Sequence, residues 1–248
     1  MITDTMTLTA PAPRLSAAGT ALFLDLDGTL APIVARPEAV GPDPRRTRLL
    51  ETLGRRLGGR LAVVSGRALP DLDRILEGRV PALAGVHGLV RRDAAGRVVS
   101  TPPHPGLVAA RRVLTAFAAS HAGLLVEDKG LSLALHYRLA PGLAPRARIQ
   151  ADWLAAETGL VLQPGDHVVE LRTPGPRKGE AVAAFMAAPP FAGATPVFLG
   201  DDLTDEDAFV AVAQLGGFGV LVGAERATAA RYRLDDVDAA LDWLEALA

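Results

Sequence analysis

Ala21-Leu22-Phe23-Leu24-Asp25-Leu26-Asp27-Gly28-Thr29-Leu30 is the stretch from which the rest of the chain is best read. Ala21 to Leu26 is a short apolar run closed by acids, and it predicts a buried strand. Asp25 and Asp27 then stand at the C-terminal end of that strand, the edge of an open parallel sheet where ligands bind. On a straight strand these i and i+2 residues would share one side. A carboxylate there can attack phosphorus, and its neighbour can give and take a proton. Gly28 lets the backbone turn directly after the acids. A capped turn with exposed carboxylates would use the same residue types, so the remaining segments must decide.

Working outward, strand and helix signals alternate. Leu49, Leu50, Leu53 and Leu57 recur at helical spacing before Gly58-Gly59. Leu61 to Val64 predicts a second buried strand, ended by Ser65-Gly66-Arg67. Leu69, Leu72, Ile75 and Leu76 predict a helix, and Ala82 to Val86 a third strand. The same rhythm returns after Lys178: a helix over 179–187, a strand over 196–200, a helix over 204–213, a strand over 219–222 and a terminal helix. Such alternation predicts an α/β fold, a Rossmann-like core with a parallel sheet and helices on both faces. The middle differs. A helix over 105–121 precedes a hairpin signature at Lys129-Gly130, then a helix over 146–158 and two short strands. Leu131, Leu133, Leu135 and Tyr137 alternate with Ser132, Ala134, His136 and Arg138, predicting one buried and one polar face. This is an α+β insertion over about 104–172, bounded by Pro102-Pro103 and Pro174-Gly175-Pro176, with core segments 20–103 and 173–248 on either side.

Bulk properties exclude several classes of function. The 248 residues allow one or two domains. Net charge is −2 and no basic stripe occurs, which argues against nucleic acid as a partner. No apolar stretch is long enough to span a membrane. Cysteine is absent, so no disulfide framework or thiolate chemistry is available. Residues 1–19 are rich in Thr, Ala and Pro and predict a mobile tail without a signal-peptide core. A cytoplasmic monomer acting on a small molecule is the expectation. Of 26 basic residues only Lys129 and Lys178 are lysine, so in this arginine-preferring chain a lysine invites a chemical reason.

A second acidic cluster, Gly200-Asp201-Asp202-Leu203-Thr204-Asp205-Glu206-Asp207, follows the apolar strand Val197 to Leu199. Thr204 or Asp205 would serve as a helix N-cap. Asp201 and Asp202 lie before the helix, at the strand edge. Two acidic strand ends brought together repel and require a cation between them. An all-oxygen ligand set points to Mg²⁺. Ser65, with free backbone N–H groups around Ser65-Gly66-Arg67, can hold phosphate oxygens, although a plain turn has the same composition. Lys178, placed before a helix start where the dipole opposes it, can balance a transferring phosphoryl group.

Taken in this order, the four segments resemble the haloacid dehalogenase superfamily of phosphotransferases over about residues 20–245. Closer strings are similar to the trehalose-6-phosphate phosphatase subgroup: Asp25 to Pro32, Gly85-Val86-His87-Gly88, Glu127-Asp128-Lys129-Gly130, Glu170-Leu171-Arg172, and Gly200 to Phe209 with its Thr-Asp-Glu-Asp. The resemblance implies that Asp25 is the nucleophile and Asp27 the acid/base. It implies Mg²⁺ held by Asp25, the Asp27 carbonyl and Asp201, supported by Asp202 or Asp205. It assigns the phosphoryl group to Ser65 and Lys178, and makes the insertion a cap that selects the sugar. Arg67, His87, Glu127, Lys129, His136, Glu170, Arg172 and Asp205 are the substrate-contact candidates. Thr173 stands where a proline would be expected, which concerns only the local loop. Within-strand Glu127/Lys129 and Glu170/Arg172 pairs suit hydroxyl recognition, although surface ion pairs would look the same. Sucrose-phosphate and mannosyl-phosphoglycerate phosphatases share the core chemistry; only the cap could separate them.

Overall fold

The computed structural model describes residues 12–247. The tail expected over 1–19 therefore falls partly outside the described residues. From Ala12 onward it is packed: Leu15 and Ala17 lie against the core, and the Thr20 hydroxyl donates to the Ser16 carbonyl at 2.6 Å.

The chain divides into two compact units, one running to Val99 and resuming at Pro176, the other spanning Ser100–Gly175. The first is built on an eight-stranded sheet. Its strands are β1 (Thr20–Leu24), β2 (Leu61–Val64), β3 (Ala82–Gly85), β4 (Val90–Arg92), β5 (Val98–Ser100), and, after the second unit, β10 (Thr195–Gly200), β11 (Phe218–Val222) and β12 (Tyr232–Leu234). Their order across the sheet is β12-β11-β10-β1-β2-β3-β4-β5. Every pair from β12 to β3 is parallel, and β3–β4 is antiparallel. The chain therefore steps outward from β1 in one direction, then returns to fill β10 on its other side. The switch point lies between β1 and β10, where an open sheet offers a crevice beyond its strand ends.

Pleating sorts the apolar runs onto the two faces. Leu22, Leu24, Leu61, Val63, Val197, Leu199, Val220 and Val222 point to one side. There they meet α1 (Pro44–Arg56), α2 (Leu69–Ile75) and α7 (Val237–Glu245), through side chains such as Leu50, Leu53, Leu72, Ile75 and Leu244. Phe23, Ala62, Val64, Phe198 and Leu221 point to the other side. They meet α5 (Lys178–Met186) and α6 (Glu206–Gln214), through Val182, Phe185, Phe209 and Val212. Central strands buried on both faces explain why their sequences are continuously apolar. The helix starts carry their own local signals. Asp43 caps α1, its carboxylate accepting from the Arg46 N–H at 2.8 Å. Asp43→Ala is expected to cost about 1 kcal/mol, seen as a lower urea midpoint at unchanged slope.

The second unit contains α3 (Gly106–Ala119), β6 (Leu125–Asp128), β7 (Ser132–His136), α4 (Ala144–Thr158), β8 (Val161–Gly165) and β9 (Val168–Arg172). Its antiparallel sheet has the order β6-β7-β9-β8. Leu133, Leu135, Val169 and Leu171 pack on one face against Leu107, Ala110 and Leu114 of α3 and Ala147, Ala151 and Leu154 of α4. Ile149 and Trp153 of α4 are 68% and 52% exposed; its buried side is made of Ala147, Ala151 and Leu154. The face opposite the helices is not simply solvated either: Ser132 and Ala134 on β7, and Glu170 and Arg172 on β9, are buried. Among the described residues, no helix is long and apolar enough to cross a membrane.

Candidate active site

β1 ends at Leu24, so Asp25 and Asp27 are not on a straight strand. They sit in a tight loop whose centre is the Leu26 carbonyl, which accepts from the N–H groups of Thr29, Leu30 and Ala31 at 3.3, 2.8 and 2.8 Å. The Asp25 N–H donates to the Leu199 carbonyl at 2.9 Å, tying the β1 tip to β10. The loop sends the two acids to different surroundings. Asp25 is buried beside Lys178, whose ammonium lies 2.9 Å from its carboxylate. Asp27, with its side chain 36% exposed, receives both forks of Arg67 at 2.7 Å. One acid is thus buried against an ammonium, and the other is partly open and held by a guanidinium. Gly28 joins the two strand tips: its φ is +77°, and a Cβ there would run into the Asp201 carboxylate.

The loop after β10 supplies the opposing acids. Carboxylate oxygens of Asp25, Asp201 and Asp205 lie within 4.8 Å of one another. Asp205, expected among the substrate contacts, is instead fully buried. One of its oxygens accepts from Lys178 at 2.7 Å, and the other from the backbone N–H groups of Asp201 and Asp202 at 3.0 Å each. Asp202, expected in the metal shell, is outside this close triad and caps the turn that follows, accepting from the Leu203 N–H at 2.7 Å. Burial dominates the electrostatics. It pushes the Asp25 carboxyl up to about 7, against the pull of Lys178, with Asp205 and Asp27 adding to the rise. Burial, then Asp25 and Asp205, push Asp201 up to about 9. Lys178 is held above its ordinary range by Asp205 and Asp25 although burial opposes its charge, so it stays an ammonium.

The site fits a hard cation by its own chemistry. Asp25 Oδ1 and Asp201 Oδ1 are buried and have no hydrogen-bond partner among the described residues. Carboxylates so placed are costly unless a ligand satisfies them. Asp207, to which the sequence assigns no role of its own, accepts from the Gly179 N–H at 3.2 Å and so fixes the start of α5 beside Lys178. Glu206, also unassigned, binds Arg226 in the loop between β11 and β12. Only the Thr-Asp-Glu-Asp string hints at either acid.

Ser65 and Arg67 follow β2. The buried Ser65 hydroxyl oxygen accepts from the Arg67 N–H at 3.3 Å, which leaves its O–H to donate elsewhere. Arg67 is engaged with Asp27 and with the Pro37 carbonyl at 3.0 Å. The exit of β3 supports this turn from beside it. Val86 and His87 have left-handed φ angles of 48° and 57°. Their N–H groups donate to the Arg67 and Ser65 carbonyls, both at 2.9 Å. A left-handed β-branched residue costs about 1–3 kcal/mol and persists where surroundings over-determine it. The strain seats the His87 ring against Gly66, where any side chain would collide with it.

The remaining candidates lie on the second unit. Glu127, Ala134 and Glu170 form one row across β6, β7 and β9. The small Ala134 leaves room above the sheet. Lys129 spans the row, 2.9 Å from Glu170 and 4.0 Å from Glu127, while His136 Nε2 lies 2.8 Å from Glu127. Burial raises the Glu127 carboxyl, but His136 and Lys129 outweigh it and hold the group below its ordinary value. The shortest contacts run across strands, from Lys129 to Glu170 and from His136 to Glu127, while the within-strand Glu127/Lys129 pair expected from the sequence is present at 4.0 Å. Arg172 is buried in register with Ser132, and its guanidinium reaches the Gly175 carbonyl at 3.5 Å.

Residues 23–238 match the Trehalose-phosphatase family model. A probable trehalose-phosphate phosphatase of Sinorhizobium fredii is 42% identical over 205 residues, covering 82% of this chain and 77% of that protein. Trehalose-6-phosphate phosphatase of Escherichia coli is 42% identical over 240 residues, covering 94% of this chain and 88% of that one. Among solved structures, the C-terminal domain of the C. albicans trehalose-6-phosphate phosphatase aligns with a TM-score of 0.82 at 24% identity, over 92% of this chain and 91% of that one, a likeness of fold.

Proposed function

The chain belongs to the trehalose-phosphatase family, and from that premise we infer that it hydrolyses trehalose 6-phosphate to trehalose and phosphate through an aspartyl-phosphate on Asp25. The observation that carries the mechanism is the meeting of the β1 and β10 tips, with Asp25, Asp201 and Asp205 gathered around Lys178. Asp25 and Asp201, with the Asp27 carbonyl, would hold Mg²⁺, supported by Asp205 through the loop backbone and by Asp202 beside it. Bound there, the ion supplies the positive charge that lets neighbouring carboxylates stay ionised and attracts phosphate.

The protein's own groups account for the steps. Lys178 and the Ser65 hydroxyl hold the phosphoryl oxygens. An Asp25 oxygen forms a bond to phosphorus as the bond from phosphorus to the sugar oxygen breaks, and Asp27 gives its proton to that departing oxygen. Free sugar leaves. Asp27 then takes a proton from water, the water oxygen bonds to phosphorus, and the Asp25–phosphorus bond breaks to release phosphate. Arg67 orients the Asp27 carboxylate between the two steps. Sugar selection falls to the cap side chains Glu127, Lys129, His136, Glu170 and Arg172, with His87 shaping the phosphate turn. Rigid, mutually paired charged groups suit hydroxyl recognition. The cytoplasmic, monomeric setting expected from the sequence remains part of this reading.

Phosphate release from a panel of trehalose, sucrose and glucose 6-phosphates and mannosyl-phosphoglycerate tests it. Trehalose 6-phosphate is expected to lead by about a hundredfold or more in kcat/KM. Chelation should abolish the activity and Mg²⁺ restore it. Preference for another sugar phosphate would reassign the substrate while keeping the chemistry.

A further inference from the structure

Asp201 and Asp202 are gripped at both ends of their backbone. Asp205 accepts from both of their N–H groups at 3.0 Å. On the opposite side, one guanidinium nitrogen of Arg226 donates to both of their carbonyls, at 3.2 Å to Asp201 and 3.0 Å to Asp202. Arg226 comes from the loop between β11 and β12, far along the chain from the acids it holds. That loop is itself fastened by one carboxylate. Glu206 accepts from the other Arg226 fork, from the Thr228 hydroxyl at 2.8 Å and from the Ala229 N–H at 2.7 Å. Glu206 is the first residue of α6, so the clasp returns to the helix that begins beside the acidic loop. Arg226 and Glu206 are mostly but not wholly buried, with 24% and 27% of their side chains exposed.

The geometry points to Arg226, set by Glu206, as a positioning residue for the cation site: by fixing the two peptides that carry Asp201 and Asp202, it aims the Asp201 carboxylate at Asp25 and raises the affinity for the divalent ion. The inference rests on the assignment of Asp201 as a ligand. It adds a residue outside the acidic strings and gives Glu206 of the Thr-Asp-Glu-Asp string its task. Without Arg226, the Asp201 carbonyl loses its guanidinium donor and the Asp202 carbonyl keeps only the Asp205 N–H at 3.0 Å, so Asp205 is left to hold the acidic loop. Lys cannot replace it fully, because a single ammonium lacks the planar fork that joins Glu206 to the carbonyls.

The test is Mg²⁺ titration of the full chain by calorimetry, with the rise in melting temperature at saturating Mg²⁺ as a second readout. Arg226→Ala is expected to weaken Mg²⁺ binding by about tenfold or more, in the range seen for partners of metal ligands. Arg226→Lys should recover part of that loss, and Glu206→Gln should weaken binding less than Arg226→Ala. In turnover, the Mg²⁺ concentration for half-maximal rate should rise while the rate at saturating Mg²⁺ changes little. Arg45→Ala is the control. Arg45 clasps Asp238, Asp242 and Glu245 of α7 and is remote from the acidic loop in its contacts, so its loss should leave Mg²⁺ affinity unchanged. Wild-type Mg²⁺ affinity in Arg226→Ala overturns the inference. If that variant does not fold, wild-type affinity in Arg226→Lys overturns it. A wild-type protein that binds no Mg²⁺ refutes the cation assignment itself and the inference with it.

Discussion

Asp25→Asn is expected to lower turnover by roughly 10⁴- to 10⁶-fold, the loss seen when an enzyme nucleophile is removed, while the protein stays folded. The amide has nearly the shape of the carboxylate but no charge with which to attack phosphorus. Its effect on stability should be small for two reasons. Burial already disfavours the charged form of Asp25, so a neutral group at that position relieves a desolvation cost. Lys178 also retains Asp205 at 2.7 Å, so its ammonium is not left alone. Phosphate release and far-UV circular dichroism measured on the same preparation separate chemistry from folding. Activity within tenfold of wild type would show that another group attacks phosphorus.

That variant can be designed from the sequence because the proposed nucleophile lies at the end of a continuously apolar signal. Leu22 to Leu24 is buried on both faces, and a strand of that kind announces itself. The same holds for β2, β10 and β11. The strands that escape sequence reading are β4, β5 and β12, each three residues long, with Arg91, Arg92 and Arg233 among them and no fully buried position. They sit toward the sheet edges, where pairing with a neighbour, not burial, makes the strand. Pairings between distant segments are equally invisible. Arg67 is forty positions from Asp27, which it holds, and Arg226 lies in a loop without hydrophobic periodicity. Asp205 illustrates a subtler limit. Its place in an acidic run suggests a helix cap or a substrate contact, yet two backbone N–H groups and one ammonium make full burial tolerable. The left-handed Val86 also leaves no trace, since β-branched residues ordinarily avoid that region.

Lys178→Met should damage the fold and the chemistry together, and the pH dependence should reveal why. Lys178 is buried between Asp25 at 2.9 Å and Asp205 at 2.7 Å, with Asp201 in the same cluster. Removing one partner from a buried ionic cluster costs about 3–5 kcal/mol, and losing a preorganised charge at the phosphoryl site lowers kcat by about 10²- to 10³-fold. In the wild-type protein without a divalent ion, Asp25 titrates near 7 and Asp201 near 9, against 3.8 for an ordinary aspartate. Between about pH 4 and those values the folded state binds more protons than the unfolded state. Stability therefore falls as pH rises through that window. Lys178 pulls both carboxyls down, so its removal moves them further up and steepens the fall. Denaturant titrations at pH 5 and pH 9 should then show a small penalty at the acid end, where the carboxyls are protonated, and the full penalty at the alkaline end. Adding Mg²⁺ at pH 9 should recover part of it, because a cation replaces the missing charge. A penalty that is equal at both pH values and indifferent to Mg²⁺ would mean that Lys178 acts through the packing of its stem and not through its charge.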